Sequence, residues 1–184
     1  MNKVDLSSYD NSGYQSGAGI VKRMLWFYCN TIFLNSSLLP VNAVKIFLLR
    51  LFGAKIGVGV TIKPCVNIKY PWFLQVGNNV WIGENVWIDN LTNVEIGDNC
   101  CLSQGAMLLT GNHDFTQTTF DLIVKPIRLE DGVWIGAKAI VCPGIVCFSH
   151  SVLAVNSVAT QNMEAYKIYQ GNPAKIVKER TIQS

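Results

Sequence analysis

The chain has 184 residues, which is long enough for one domain with a core of its own. Hydrophobic residues make up 49% of the chain and charged residues only 15%, so we expect a large buried surface that includes contacts between subunits. A formal net charge of +3, with no basic stripe interleaved with aromatic residues, argues against a nucleic-acid partner.

The first residues and the cysteines favour a cytoplasmic protein. Residues 1–19 are polar and rich in Gly and Ser, without the apolar stretch of a secretory signal. The cysteines form no CxxC pair, and we interpret them as free buried thiols rather than as disulfide partners or zinc ligands. They are Cys29, Cys65, Cys100, Cys101, Cys142 and Cys147.

Residues 20–52 are apolar, contain few basic residues and are interrupted by Ser36, Ser37 and Pro40. They predict two helices of about three turns each, with Pro40 near the start of the second. Each helix is too short to cross a bilayer, which takes about 20 apolar residues. The favoured interpretation is a helical flap that packs on the core or on a partner subunit. The alternative is a peripheral segment at the inner membrane face whose basic residues meet lipid headgroups, namely Lys22, Arg23, Lys45 and Arg50.

A six-residue repeat begins at Ile56. An aliphatic residue recurs every six positions and is often followed by Gly, as in Ile82-Gly83 and Ile135-Gly136. This hexapeptide repeat is typical of a parallel β-helix, in which each hexapeptide forms one short strand and one corner and three of them form a triangular coil. We therefore divide the chain into a polar arm with helices (1–55), an all-β parallel β-helix of about five coils (56–160) and a C-terminal tail with a short helix (161–184).

The phase of the repeat locates a protruding edge. Two insertions of two residues and one of fifteen interrupt the repeat, and all three follow the third hexapeptide of a coil. Coils stack about 4.8 Å apart, so residues 70–73, 90–94 and 110–128 should be neighbours along one edge. The longest of these segments, 110–128, should protrude as a loop, and loops on a rigid scaffold often carry the chemistry. The predicted inward positions are 56, 62, 68, 76, 82, 88, 96, 102, 108, 129, 135, 141, 147, 153 and 159.

His113, within TGNHDF (110–115), is the candidate catalytic residue of this loop. Histidine titrates near neutral pH and can take a proton from an alcohol or amine nucleophile. The sequence leaves open which carboxylate orients the ring: Asp114, Asp121 or Glu130. The other histidine, His150, is predicted to be a solvated corner residue. Two histidines on such a scaffold do not supply a three-imidazole zinc site, and we expect no bound metal.

The insertion at 90–94 supplies candidate substrate ligands. Asn90 and the preceding Asp89 have side chains that suit a substrate hydroxyl or a developing oxyanion, although both residue types also favour tight corners. Asp114, next to His113, completes the set of candidate substrate-binding residues.

Two later segments have no catalytic side chain but suit an extended ligand, namely 131–145 and 169–180. Gly136 and Ala137 allow a ligand to approach the backbone closely. Trp134 can pack on a pantetheine-like arm, and Lys175 and Lys178 can meet phosphates. The alternative is that these segments hold only turn glycines and a polar terminal helix.

With these residues the chain resembles the hexapeptide-repeat acyltransferases. Within that superfamily it is similar to the maltose, galactoside and nodulation O-acetyltransferases, and most similar to sugar acetyltransferases of the colanic-acid-biosynthesis type. The resemblance covers nearly the whole chain. It rests on LLRLFGAKIG (48–57), VNIKYPWFLQVG (66–77), WIGENVWIDN (81–90), TGNHDF (110–115) and IYQGNPAK (168–175). Cys147-Phe148 and AVNS (154–157) depart from the usual pattern of the family.

The resemblance implies a left-handed parallel β-helix, an exception to the usual right-handed crossover. It also implies a homotrimer with active sites between neighbouring prisms, acetyl-CoA as acyl donor, His113 as general base and Asn90 at the substrate. The residues that would line the coenzyme groove are Trp134, Gly136, Ala137, Val155, Thr160, Lys175 and Lys178.

The expected function is therefore acetyl transfer to a sugar hydroxyl in exopolysaccharide or capsule biosynthesis. The acceptor would be a saccharide or a lipid-linked saccharide. Two alternatives remain open: acetylation of a xenobiotic such as an antibiotic, and a non-catalytic β-helix that serves as a binding scaffold.

Overall fold

A computed structural model describes residues 3–183. The N-terminal part contains a 3₁₀ turn, Leu6–Ser8, and two α-helices, α1 (Ile20–Cys29) and α2 (Asn42–Leu51). One π-helical turn, Asn30–Leu34, extends α1, and a 3₁₀ turn, Pro71–Phe73, lies on the insertion edge. The two predicted helices are confirmed, and Pro40 lies two residues before α2, where its missing N–H costs no helical hydrogen bond.

The rest of the described chain is a parallel β-helix with three faces. The strands are β1 Lys55–Ile56, β2 Thr61–Ile62, β3 Asn67–Ile68, β4 Leu74–Val76, β5 Trp81–Ile82, β6 Trp87–Asp89, β7 Val94–Ile96, β8 Cys101–Leu102, β9 Met107–Leu109, β10 Gly111–His113, β11 Leu122–Val124, β12 Ile127–Leu129, β13 Trp134–Ile135, β14 Ile140–Val141, β15 Val146–Cys147, β16 Val152–Leu153, β17 Val158–Ala159, β18 Lys167–Gly171 and β19 Ala174–Glu179. The first face joins β1, β4, β7, β12 and β15; the second joins β2, β5, β8, β13, β16, β18 and β19; the third joins β3, β6, β9, β14 and β17.

The predicted phase of the repeat is confirmed at every position. All fifteen predicted inward residues are buried and stack on the equivalent residue of the next coil, as Ile62 does on Ile82. At the corner that follows the first face, a Cβ added to Gly57 or Gly77 would overlap the backbone of the next coil. Glycine is therefore required there, because only a residue without a Cβ permits this close stacking.

The two helices cover the open edge of the first coil. Lys45 is fully buried, and its ammonium donates to the main-chain oxygens of Ile62 (3.3 Å) and Lys63 (2.9 Å). Asn42 donates to Val60 O and accepts from Ile62 N, each at 2.8 Å. The main-chain groups at the edge of a sheet have no neighbouring strand to pair with, and these side-chain hydrogen bonds satisfy them instead.

These contacts show that the helices are packed on the core, as the favoured interpretation expected. The alternative interpretation is wrong for Lys45, which does not face lipid headgroups. Lys45 is inside, and Arg50 donates to the main-chain oxygens of Ile56 (2.8 Å) and Gly57 (2.9 Å). Burial lowers the pKa of the Lys45 ammonium. No helix within residues 3–183 has the length and hydrophobicity needed to span a bilayer.

The predicted C-terminal helix is wrong, because residues 167–179 form an antiparallel hairpin, β18–β19. Strand β18 continues the second face by pairing with β16, so Tyr169 stacks beyond Leu153 and is buried. Five complete coils are thus followed by a partial sixth. Residues such as Lys175 and Glu179 favour a helix in isolation, but pairing with an exposed β-helix end outweighs that preference.

Candidate active site

The three insertions meet along one edge, as the phase of the repeat predicted. Asn90 lies under Tyr70: its Oδ1 accepts from Tyr70 N (3.0 Å) and its Nδ2 donates to Tyr70 O (2.6 Å). One coil further, Thr110 Oγ1 accepts from Leu91 N (2.8 Å) and donates to Asp89 O (2.9 Å). The 110–128 insertion is itself a hairpin, in which β10 pairs with β11 in antiparallel register.

His113 ends strand β10, and a main-chain group orients its ring. Nδ1 lies 2.8 Å from the carbonyl oxygen of Phe120. A carbonyl oxygen can only accept a hydrogen bond, so Nδ1 carries the proton and the lone pair of the neutral imidazole lies on Nε2. The Phe120 ring stacks on the imidazole with centroids 4.4 Å apart and planes 5° from parallel. This is the tautomer that a general base acting through Nε2 needs.

Phe120 directs that carbonyl from an uncommon backbone conformation. Its φ of +54° is in the left-handed region, which bulky residues rarely adopt. Close by, Asp114 N donates to Asp121 O at 2.8 Å and closes the base of the hairpin turn. Such a conformation persists only where the surrounding structure holds it, and it is common at functional sites.

None of the three candidate carboxylates makes a hydrogen bond or ion pair with the His113 ring within the described residues. Asp114 Oδ1 accepts from Thr116 N (3.0 Å) and Thr116 Oγ1 (2.6 Å), which holds the turn and lowers the Asp114 pKa. Glu130 accepts from Ser149 instead. The residue that sequence reasoning missed is Phe120, because a main-chain acceptor leaves no signal in side-chain chemistry.

A cavity of about 510 Å³ opens beside His113. Residues of the N-terminal arm, Tyr9, Asn11 and Tyr14, form part of its wall. The Tyr9 ring centroid lies 5.8 Å from that of His113, and Tyr14 Oη donates to Leu91 O at 2.7 Å. Burial raises the pKa of the Tyr14 phenol above its ordinary value.

The arm is anchored to the insertion edge at both ends. Asp5 N donates to Thr118 O in the hairpin at 2.8 Å, and Trp72 Nε1 donates to Ser16 O at 2.7 Å. Its role as a wall of the cavity was missed in the sequence, where residues 1–19 were interpreted only as a polar arm. The aromatic residues at 9 and 14 are the one signal that could have indicated a packed segment.

The predicted substrate ligands occupy different environments. Asp89 lines the cavity, and its Oδ1 lies 3.2 Å from Lys69 Nζ. Asn90 is fully buried, and both atoms of its amide bond Tyr70, so it holds the insertion edge rather than lining the cavity. Asp114 is engaged in the hairpin turn. Arg23 of α1 also lines the cavity, which the sequence did not indicate.

The predicted coenzyme residues lie elsewhere on the prism. Trp134 is on the outer side of the second face, 46% exposed, with Nε1 donating to Ser103 Oγ at 2.9 Å. Gly136 is buried at the following corner, where Asn156 N donates to Ala137 O at 2.9 Å. Asn156 has φ +55°, a conformation that asparagine tolerates. The remaining coenzyme candidates, all exposed, are Val155, Thr160, Lys175 and Lys178.

Within one chain these groups are not brought together with His113. The third face separates the corner at Gly136 from the edge at His113. Strand β14 of that face follows Gly136 in the chain, and strand β9 of the same face precedes His113. His150, the other histidine, has φ +61° and stacks on Tyr166 with centroids 4.8 Å apart. Within residues 3–183, no cluster of three or more His, Cys, Asp or Glu side chains is arranged to hold a metal ion.

Two acetyltransferases of Escherichia coli are similar to this chain in sequence. The chain is 34% identical over 177 residues to the "Putative colanic acid biosynthesis acetyltransferase WcaF" of Escherichia coli, which covers 96% of this chain and 97% of the relative. It is 25% identical over 129 residues to the galactoside O-acetyltransferase of E. coli, covering 68% of this chain and 64% of that protein. No family model matches the sequence.

Among solved structures, a hexapeptide-repeat acetyltransferase from Vibrio cholerae, in complex with acetyl coenzyme A, superposes with a TM-score of 0.79. The match covers 88% of both chains at 24% identity and shows a common fold. The sequence similarity to WcaF extends over almost the full length of both proteins, so it assigns the family, whereas the structural match shows only the fold. The chain belongs to the hexapeptide-repeat acyltransferases, in the group of the maltose, galactoside and nodulation O-acetyltransferases.

Proposed function

We propose that the protein transfers an acetyl group from acetyl-CoA to a sugar hydroxyl, in the synthesis of an exopolysaccharide or capsule. The single observation that carries this proposal is the His113 tautomer. A carbonyl at Nδ1 leaves the Nε2 lone pair free of that hydrogen bond, as general-base chemistry requires, and His113 lines a cavity of about 510 Å³.

The reaction is a direct transfer without an acyl-enzyme. Nε2 of His113 takes the proton of the acceptor hydroxyl while its oxygen attacks the thioester carbonyl. The tetrahedral intermediate then collapses, the C–S bond breaks and the coenzyme thiolate takes the proton from the imidazolium. The Phe120 carbonyl stabilises that imidazolium through Nδ1–H. Asp89, Lys69 and the tyrosines of the cavity are proposed to orient the sugar.

The separation of the two groups of site residues supports a homotrimer. Trp134 and Val155 lie at a different edge from His113, so a single prism does not bring a coenzyme there to its own base. A neighbouring prism with its second face turned toward this His113 would complete the site. Exposed apolar side chains at Trp81 (65%), Trp134 (46%) and Val155 (64%) suit such a contact. Closed threefold symmetry covers these surfaces in every copy.

The similarity to WcaF supports the polysaccharide acceptor, and the Vibrio cholerae complex supports acetyl-CoA as donor. A scaffold without catalysis would have no need for an oriented imidazole beside a cavity. The test is acetyl-CoA consumption against a panel of free, nucleotide-linked and lipid-linked saccharides, with His113→Ala as the control. Acetylation of an antibiotic but of no saccharide would instead favour the xenobiotic alternative.

A thermal-shift measurement with acetyl-CoA distinguishes the proposed acetyltransferase from a non-catalytic scaffold. A ligand at a hundred times its dissociation constant adds about 2.7 kcal/mol of stability. A protein that gains no stability from saturating acetyl-CoA would contradict the proposed reaction.

A further inference from the structure

A second cavity, of about 630 Å³, adjoins the one at His113. It lies between α1 and the start of the third face, and we call it the apolar groove. Its wall is made largely of nonpolar and aromatic side chains, among them Met24, Phe27 and Trp87. The two cavities share four lining residues, which are Arg23, Lys69, Tyr70 and Asp89. The His113 cavity, with its mixed polar and apolar lining, thus adjoins a more apolar one, and charged groups lie at the junction.

Arg23 is the unpaired charge at that junction. Lys69 has Asp89 as an ion-pair partner at 3.2 Å, but no carboxylate lies within ion-pair distance of Arg23 in the part of the chain that the structure describes. Its Nε is buried and makes no hydrogen bond there. A partly buried cation without a counterion is costly, and a guanidinium binds phosphate through two parallel N–H donors. With Arg23 and Lys69 against the one carboxylate of Asp89, the junction keeps a positive charge and suits an anionic group of the ligand.

We propose that the acceptor is a saccharide joined through a phosphate to a lipid chain, an inference that rests on the proposed function. Its sugar occupies the His113 cavity, the phosphate meets Arg23, and the first carbons of the lipid lie in the apolar groove. The order along the protein, from polar cavity to cation to apolar surface, matches the order along such a molecule. A free saccharide leaves Arg23 and the groove unused.

The chain offers a matched pair of variants for the groove. Phe27 is 63% exposed and lines the groove, whereas Leu25 on the same helix is 55% exposed and does not. Neither side chain is in the core, so serine at either position should leave the fold intact. For the anion, Arg23→Gln removes the charge and keeps a polar side chain, and Arg23→Lys keeps the charge but loses the paired donors.

The probes are farnesyl phosphate, farnesol and inorganic phosphate, titrated into the full-length protein by calorimetry. We expect farnesyl phosphate to bind at least tenfold more tightly than either of the others. Arg23→Gln should weaken farnesyl phosphate binding about tenfold or more, as for a lost charged hydrogen bond, and leave farnesol unchanged. Phe27→Ser should weaken both farnesyl compounds, and Leu25→Ser neither.

Three results would overturn the proposal. Inorganic phosphate that binds as tightly as farnesyl phosphate would show a free-anion site, and farnesol that binds as tightly would show that the phosphate is not recognised. Absence of farnesyl phosphate binding to wild type would show that something else fills the groove. If Phe27→Asp then dissociates the assembly in light scattering, the occupant is a neighbouring copy of this chain. His113→Ala should keep farnesyl phosphate binding, so that a failure of acetyl transfer is distinguished from a failure of this proposal.

Discussion

The carbonyl oxygen of Phe120 lies 2.8 Å from Nδ1 of His113, while the ring of the same residue stacks on the imidazole. One residue therefore fixes both the proton position and the plane of the candidate base. The arrangement predicts that His113 is an Nδ1–H tautomer when neutral. Long-range proton–nitrogen NMR spectra should show Nδ1 protonated and Nε2 unprotonated. An Nε2–H tautomer at high pH would contradict the proposed base. His150, whose Nδ1 is buried and has no hydrogen-bond partner among residues 3–183, supplies an internal reference.

Replacing the base should reduce turnover far more than coenzyme affinity. General-base catalysis contributes about 10²–10⁴ in rate, so His113→Ala should lower kcat by roughly that factor on a verified acceptor. The KM for acetyl-CoA should change little, because its proposed residues lie at another edge. His150→Asn is the matched control, since asparagine also tolerates the left-handed conformation found there. A folded His113→Ala enzyme with most of its kcat would show that the base is another group.

The N-terminal arm should contribute to acceptor binding through Tyr9. Its ring centroid is 5.8 Å from that of His113, and it forms part of the cavity wall. An aromatic contact of this kind contributes about 0.5–1.5 kcal/mol, so Tyr9→Ala should raise the acceptor KM about two- to tenfold. Tyr9→Phe keeps the ring and should remain close to wild type if the contact is aromatic. Steady-state kinetics with varied acceptor at saturating acetyl-CoA measures both, and an unchanged KM in Tyr9→Ala would remove the arm from the site.

The buried ammonium of Lys45 should be important for stability rather than for membrane contact. Lys45→Met keeps an unbranched side chain but leaves the main-chain oxygens of Ile62 and Lys63 without their donor. An unsatisfied buried polar group costs about 1–3 kcal/mol, which we expect as the loss in the free energy of unfolding. Lys63→Ala, at an exposed position, should change it by less than about 0.5 kcal/mol. Urea unfolding at one fixed protein concentration tests this, and equal effects of the two substitutions would contradict it.

Light scattering should give the mass of three chains at micromolar concentration. We expect a trimer because the two groups of site residues lie at different edges of one prism, and because Trp81 and Trp134 are exposed. Trp134→Glu places a charge on the contact and should shift the mass toward one chain and lower kcat together. Lys55→Glu on the first face, away from the proposed contact, serves as the control. A monomeric and fully active wild type would rule out the shared site.

The six-residue repeat allowed the fifteen inward residues of the five complete coils to be predicted, because a coil contacts only the coils beside it and the phase at Ile62 fixes the phase at Ile82. The edge that carries His113 followed from the same phase. Strand β19 could not be predicted in this way, since Ala174 and Lys175 are good helix formers whose extended state comes from pairing with β18. The role of the Phe120 carbonyl could not be predicted either, because every residue has a main-chain carbonyl. The left-handed backbone at position 120, which directs this carbonyl to the imidazole, is not visible in the sequence.

The two ends of the prism are closed by dissimilar devices, side chains of α2 at the first coil and the β18–β19 hairpin at the last. The hydrogen bonds of Asn42 and Lys45 go to the first coil, and β18 pairs with β16 of the last complete coil. A whole coil gained or lost beyond β12 would therefore leave the His113 edge and both closures intact, and would move Lys175 and Lys178 along the axis by one step of about 4.8 Å. The number of coils therefore sets the distance along the prism axis from the base to the terminal lysines. A ligand that contacts both must have a length that matches this distance.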